Sequence, residues 1–209
     1  MLLGKYLQLF GKIDFLRPYV GIINAVIWRM DGRPMPPPPY VKQAILRKHA
    51  REFNLNTFVE TGTFLGDTVC AMRCVCEKIF SIELSKELAK KARLRFSRYA
   101  NIQILEGDST VILPHILKSI DTPCLFWLDA HFSGGITVAG SSPTPILDEL
   151  KAIIEHPVKG HVILVDDASS FVGKNGYPTL EQLNSFVAVS CPDMIMDVRN
   201  DIIHLRQGK

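Results

Sequence analysis

From Tyr40 onward the chain alternates short apolar runs with longer amphipathic stretches, and that change of period leaves few folds open. Residues 57–60, 78–83 (Lys-Ile-Phe-Ser-Ile-Glu), 102–106, 124–128 (Cys-Leu-Phe-Trp-Leu) and 161–165 read as strands. Residues 40–53, 67–77, 85–99, 109–119, 144–155 and 179–189 read as helices. Apolar strands that each return through a helix make a parallel sheet covered on both faces. The last two runs, 194–199 and 202–206, are joined only by Asn200-Asp201, which suits a hairpin turn. The expected fold is therefore α/β: a doubly wound, mostly parallel seven-stranded sheet that closes with a C-terminal antiparallel hairpin.

At 209 residues and 47% hydrophobic, the chain is long enough for one well-buried core. Residues 40–209 read as that domain, 34–39 as a proline-rich linker, and 1–33 as an N-terminal helical arm. A net charge of +3 is too small for a nucleic-acid footprint. The five cysteines form no Cys-x-x-Cys pair and read as reduced, mostly buried thiols of a cytoplasmic protein, with Cys70, Cys74 and Cys76 on the helix at 67–77. No run reaches the ~18–20 apolar residues of a membrane span. The arm is apolar and aromatic with scattered Lys5, Lys12, Arg17 and Arg29, and lacks a secretory cleavage pattern. It either packs on the domain or a partner subunit, or lies on a membrane surface.

The expected strands end on acids: Glu60, Glu83, Asp129 and the pair Asp166-Asp167, with Asp108 just beyond the third. Strand C-termini of such a sheet share one edge, so these six converge on one crevice. Any one of them could cap a helix, as Asp108 or Ser109 could for 109–119, but six like charges together call for a ligand or cation. After Glu60 comes a glycine turn, with Gly62, Thr63 and Gly66 before a helix that Asp67 or Thr68 can cap. Glu83 lies where a carboxylate accepts bonds from two ribose hydroxyls, and Asp108 where a side chain meets an adenine amine. Glu60 beside the turn suits a cationic amine and would repel a pyrophosphate. The ligand implied carries a ribose, an adenine and a positively charged, amino-acid-like group.

On these residues the chain, over roughly 40–206, resembles a class I S-adenosylmethionine-dependent methyltransferase with its Rossmann-like fold. The likeness rests on Glu60-x-Gly62-x-x-x-Gly66, Glu83, Glu106-Gly107-Asp108, Asp129 and the closing hairpin. The resemblance implies S-adenosylmethionine as cofactor, held by Glu60, Gly62, Thr63, Gly66, Thr68, Glu83, Asp108, Ser109 and Asp129. The family's glycine motif more often has a third glycine, where this chain has Thr63 and Leu65 at intermediate positions.

Trp127-Leu128-Asp129-Ala130-His131 and Leu164-Val165-Asp166-Asp167 are further similar to metal-dependent small-molecule O-methyltransferases of the catechol and macrocin type. That likeness implies Mg²⁺ on Asp129, Asp166 and Asp167, lowering the pKa of an acceptor hydroxyl. The acceptor expected is a sugar or secondary-metabolite hydroxyl. Asp129 and His131 are the catalytic candidates, with His131 as base; a local hydrogen-bonding role for His131 stays open. Residues 133–143 read as a lid and Phe171 to Pro178 as a pocket wall, while Asp148, Glu149 and the Lys86–Arg98 basic residues read as surface. Two rivals remain: an NAD(P)-dependent oxidoreductase on the same sheet, and a non-catalytic scaffold subunit.

Overall fold

A computed structural model describes residues 17–129 and 145–208. The chain forms two compact units, Met1–Ile45 and Leu46–Lys209. In the first, helix α1 (Arg17–Met30) has no acid in its first turn and ends near Arg29. Gly21 lets the Tyr40 ring lie against the helix, since a Cβ there would come within 2.5 Å of the ring. Trp28 is buried and donates its indole N–H to Pro34 O at 2.6 Å. Ile22, Ile23, Val26, Ile27 and Met30 stay exposed on α1. Helix α2 spans Pro39–Glu52, so Pro39 is its first residue, where a missing N–H costs nothing.

The second unit is a seven-stranded sheet of order β3-β2-β1-β4-β5-β7-β6. Its strands are β1 (Thr57–Thr61), β2 (Lys78–Glu83), β3 (Ile102–Glu106), β4 (Cys124–Leu128), β5 (Val162–Val165), β6 (Met194–Arg199) and β7 (Ile202–Gln207). β1 to β5 run parallel, and β7 is antiparallel to both β5 and β6. The helices are α3 (Asp67–Met72), α4 (Lys86–Phe96), α5 (Ser109–Leu117), α6 (Ile146–Ile154) and α7 (Leu180–Ser190). β4 is buried at all five residues, as a central strand covered on both faces must be. Val59, Phe80, Ile82, Phe126, Leu128, Ile163 and Val165 pack on one face against Leu113, Ile116, Leu150 and Ile153 from α5 and α6. Each such buried side chain contributes ~1.5–3 kcal/mol.

Two expectations shift locally. The helix after the glycine turn ends at Met72, five residues short of 77. Val75 and Cys76 N–H both turn back onto Met72 O, and Glu77 N–H already bonds Asn56 O, because β2 must start at Lys78 beside Thr57. Cys74 and Cys76 therefore lie beyond the helix. Only Cys76 and Cys124 are buried, and burial pushes their thiols up to about 11 and about 12. Asn200 (φ 53°) and Asp201 (φ 59°) both adopt the left-handed region, as a tight primed hairpin turn requires. Asp201 is also buried, accepting Ser169 N–H at 2.7 Å, so the hairpin anchors the segment after β5.

At the opposite edge of the sheet, Cys124 N–H donates to His161 Nδ1 at 3.0 Å. That bond fixes the His161 proton on Nε2, which faces His156 Nδ1 at 3.0 Å. His156 Nε2 in turn donates to Leu117 O at 2.9 Å. A chain of two imidazoles thus ties the start of β4 to the ends of α5 and α6.

Candidate active site

β1 sits between β2 and β4, so the connections leave it on opposite sides and a crevice opens at its C-terminal end. Register places Thr61 beside Ile82 and Leu128, one residue before Glu83 and Asp129. Asp129 N–H bonds Thr61 O at 3.1 Å, and Asp166 N–H bonds Leu128 O at 3.0 Å. The acids at the ends of β1, β2, β4 and β5 are therefore brought to one edge by the ladder itself.

Glu60 is 1% exposed and accepts Ser81 Oγ–H at 2.6 Å. Thr63 Oγ1 lies 2.6 Å from the same Ser81 oxygen, which links the glycine turn to β2. Burial drives the Glu60 carboxyl up to about 8; the Ser81 and Thr68 hydroxyls oppose the rise, and the Asp129 and Glu83 charges add to it. These influences place Thr68, Glu83 and Asp129 around Glu60.

The turn is braced by its own hydrogen bonds. Gly62 (φ 88°) and Thr63 both donate N–H to Ile82 O, and Phe64 N–H donates to Glu83 Oε2 at 2.7 Å. Glu83 Oε1 accepts Ser85 N–H at 2.8 Å. Both oxygens of Glu83 thus hold backbone, each with lone-pair capacity left over. Gly66 (φ 77°) is the residue before α3, and a Cβ on it would meet the Phe96 ring at 2.7 Å. Its glycine answers to packing and handedness as much as to ligand approach. Neither Asp67 nor Thr68 caps α3. Asp67 instead pairs with Arg95 at 2.8 Å, and Arg95 also donates to Leu65 O. Arg93 donates to Ile104 O at 3.0 Å, so Arg93 and Arg95, read in the sequence as a solvated face, brace β3 and the turn.

Asp108 takes the capping role: its Oδ1 accepts Thr110 N–H at 2.9 Å and Thr110 Oγ1–H at 2.7 Å. Ser109 is buried behind it at the start of α5. Asp166 is buried and accepts Asp167 N–H at 2.8 Å, with Asp167 in the left-handed region at φ 52°. Among the described residues no three His, Cys, Asp or Glu side chains form a group that could hold a metal ion. Asp129, Asp166 and Asp167 therefore form no preassembled three-ligand group among the described residues. His131 and the loop 133–143 lie outside the described residues. Phe171 is buried, its ring edge-on to Tyr177 at 5.0 Å, and belongs to the core.

Sequence reasoning missed Glu149. Placed at the surface with Asp148, it is 1% exposed, and burial pushes it up to about 7. Ser109 and Thr61 hydroxyls oppose that rise, while Asp108 and Asp129 add to it. The signal was present: 146, 149, 150, 153 and 154 form the buried stripe of α6, and Glu149 stands on it.

No family model matches the chain, and no curated protein does. Solved structures do. The O-methyltransferase TomG from Streptomyces achromogenes, in complex with S-adenosylmethionine (SAM), aligns at TM-score 0.61 and 18% identity over 90% of this chain and 89% of that one. An O-methyltransferase from Bacillus cereus, in complex with S-adenosylhomocysteine (SAH), gives TM-score 0.63 and 13% identity over 97% and 96%. The SAH-bound methyltransferase PaMTH1 of Podospora anserina gives 0.59 and 16% over 82% and 80%. At such identities the likeness carries the fold and not the acceptor. The chain has the fold of the SAM-dependent methyltransferases.

Proposed function

We propose that this protein is an enzyme that transfers a methyl group from SAM to the hydroxyl of a small molecule, a sugar or secondary metabolite. One observation carries the reading: the buried Glu60 carboxyl, acted on by Thr68, Glu83 and Asp129, is linked through Ser81 to a braced glycine turn at the switch point of the sheet. A buried carboxyl with only hydroxyls as neutralising partners suits an incoming ammonium and disfavours a pyrophosphate, which sets the nicotinamide oxidoreductase aside. Transfer is an in-line displacement at the sulfonium methyl with sulfur leaving, so the protein's share is positioning and charge stabilisation. Glu60, Asp129 and the glycine turn orient the amino-acid end, and Glu83 the ribose. His131, as base, takes the acceptor proton.

Mg²⁺ assistance is a separate layer, whose donors would come from Asp129, Asp166 and Asp167. Its test is Mg²⁺ titration calorimetry, in which heat lost on Asp166→Ala supports it and absence of heat removes it. The structures resembled that bear O-methyltransferase names support oxygen as acceptor. The net charge of +3 supports a small molecule over a nucleic acid. Five free cysteines support a cytoplasmic location as the reading. No described helix is long and apolar enough to cross a membrane. The exposed apolar residues of α1 support an arm that joins two copies of the chain, with peripheral membrane contact as the second reading; sedimentation as a monomer would sink the dimer. Isothermal titration with SAH tests the cofactor: micromolar binding supports the enzyme and sends the protein to an acceptor screen, while binding of NAD alone overturns it.

A further inference from the structure

The glycine turn has two limbs, and different partners hold them. The inner limb is fastened to β2, where Gly62 and Thr63 N–H both donate to Ile82 O. The outer limb, Phe64 to Gly66, leaves the sheet through two left-handed residues, Phe64 at φ 48° and Gly66 at φ 77°. Glycine takes that conformation freely, whereas a phenylalanine is strained in it and stays there only when its surroundings hold it. Burial does not supply the hold, because Phe64 and Leu65 are 46% and 47% exposed. Arg95, in the last turn of α4, reaches this limb from the connection between β2 and β3. Its Nη1 donates to Leu65 O and, at 2.8 Å, to Asp67 Oδ1, so one side chain joins the residue before Gly66 to the residue after it. Its guanidinium lies 5.3 Å from the centre of the Phe96 ring, and that ring fills the space a Gly66 Cβ would need. Arg95 is unlike the solvated residues of the same helix: its side chain is 24% exposed, against 64% for Lys91.

We propose that Arg95 is a positioning residue for the methyl donor: it sets the outer limb of the turn, and through it the affinity for the donor's amino-acid end, without touching the ligand. The inference rests on the SAM reading above, in which the turn and Glu60 take the amino-acid end and Glu83 takes the ribose. Glu83 stands on β2 and keeps Ser85 N–H on Oε1, so the ribose side stays in place when Arg95 is lost. The position calls for a guanidinium. That group donates two N–H from one nitrogen while its flat face lies on a ring, whereas an ammonium is a compact, strongly hydrated charge.

The test is calorimetric binding of two ligands to the full chain. One is SAH; the other is 5′-methylthioadenosine, which keeps the adenine, ribose and sulfur and lacks the amino-acid end. The second is measured as a competitor of SAH where it is too weak to titrate directly. Wild type, Arg95→Met and Arg95→Lys are compared, since methionine keeps an apolar chain over Phe96 and removes both donors. Arg95→Met is expected to weaken SAH binding about tenfold, the scale of a charge-assisted bond, and to leave 5′-methylthioadenosine within about twofold. Arg95→Lys should fall between the two on SAH, because it restores the charge and not the stacked fork. SAH affinity within about twofold of wild type in Arg95→Met overturns the inference. An equal loss on both ligands overturns it too, because that pattern marks a general disturbance of the site. Should Arg95→Met not fold, Arg95→Lys is read against the same two criteria. Wild-type protein that fails to bind SAH overturns the cofactor reading and takes the inference with it, whereas SAH binding indifferent to Arg95 overturns the inference alone.

Discussion

Glu60 is held at the end of β1 by the Ser81 and Thr68 hydroxyls, with no basic side chain among the groups that shift its carboxyl. Burial thus raises it to about 8 against an ordinary 4.5. Between those two values the folded state binds the proton and the unfolded state does not. Stability from this group is therefore full below about pH 4.5 and is lost as pH rises through about 8. The expected decline from pH 5 to 8 is on the order of 3 kcal/mol. Glu60→Gln should remove this group's share of the slope in denaturant melts, leaving the share of Glu149, whose carboxyl is raised to about 7, and should weaken SAH binding about tenfold or more by removing a charge from the ammonium site. A slope unchanged in the variant would assign the proton elsewhere. Gly66 is the second residue at which a single atom decides. A Cβ there must strain a φ of 77° and displace the Phe96 ring, so Gly66→Ala should cost about 1–3 kcal/mol and loosen cofactor binding with it.

At the scale of elements, the strands were legible to within a residue because a strand buried on both faces has no polar option along its length. Cys124–Leu128 shows this, with all five residues buried. Helix ends were less legible. The run 67–77 is amphipathic throughout, but the register of β2 against β1 ends α3 at Met72, and register is a long-range fact. The same holds for Arg95, whose partners Leu65 and Asp67 lie about thirty positions earlier. The imidazole chain of His156 and His161 was equally invisible, since only the packing of α5 and α6 ends against β4 brings it together. Burial lowers His161 to about 4 from an ordinary 6.5, with the His156 and Lys159 charges adding to the shift. The unfolded chain takes that proton first, so stability from this group is full above about pH 6.5 and falls as pH drops toward about 4. Its sign is opposite to that of Glu60. Wild-type stability should rise as pH falls from 8 toward about 4.5, less steeply below about 6.5, where His161 opposes Glu60 and Glu149. In the double variant Glu60→Gln/Glu149→Gln only the acid-side fall, on the order of 1–3 kcal/mol, should remain; a curve flat between pH 6.5 and 4 in that variant would contradict the imidazole chain.

For the whole molecule, the acids at the strand ends were legible because a parallel sheet sends every strand C-terminus to one edge. What the sequence could not show is which acids serve the fold. Asp108 caps α5, and both oxygens of Glu83 already hold the turn, so the ligand roles proposed for them share these side chains with structural ones. Glu149 lay hidden because a charged residue in a helix reads as surface unless its place on the apolar stripe is weighed first. The arm is separable in this account: deletion of residues 1–39 should leave SAH affinity unchanged and abolish self-association, read by sedimentation. The central claim is that the β1–β4 crevice holds SAM. Isothermal titration of the full chain with SAH, beside NAD, addresses it most directly. Micromolar binding of SAH that is lost in Glu60→Gln and absent for NAD is the predicted result, and binding of NAD without SAH would contradict the account.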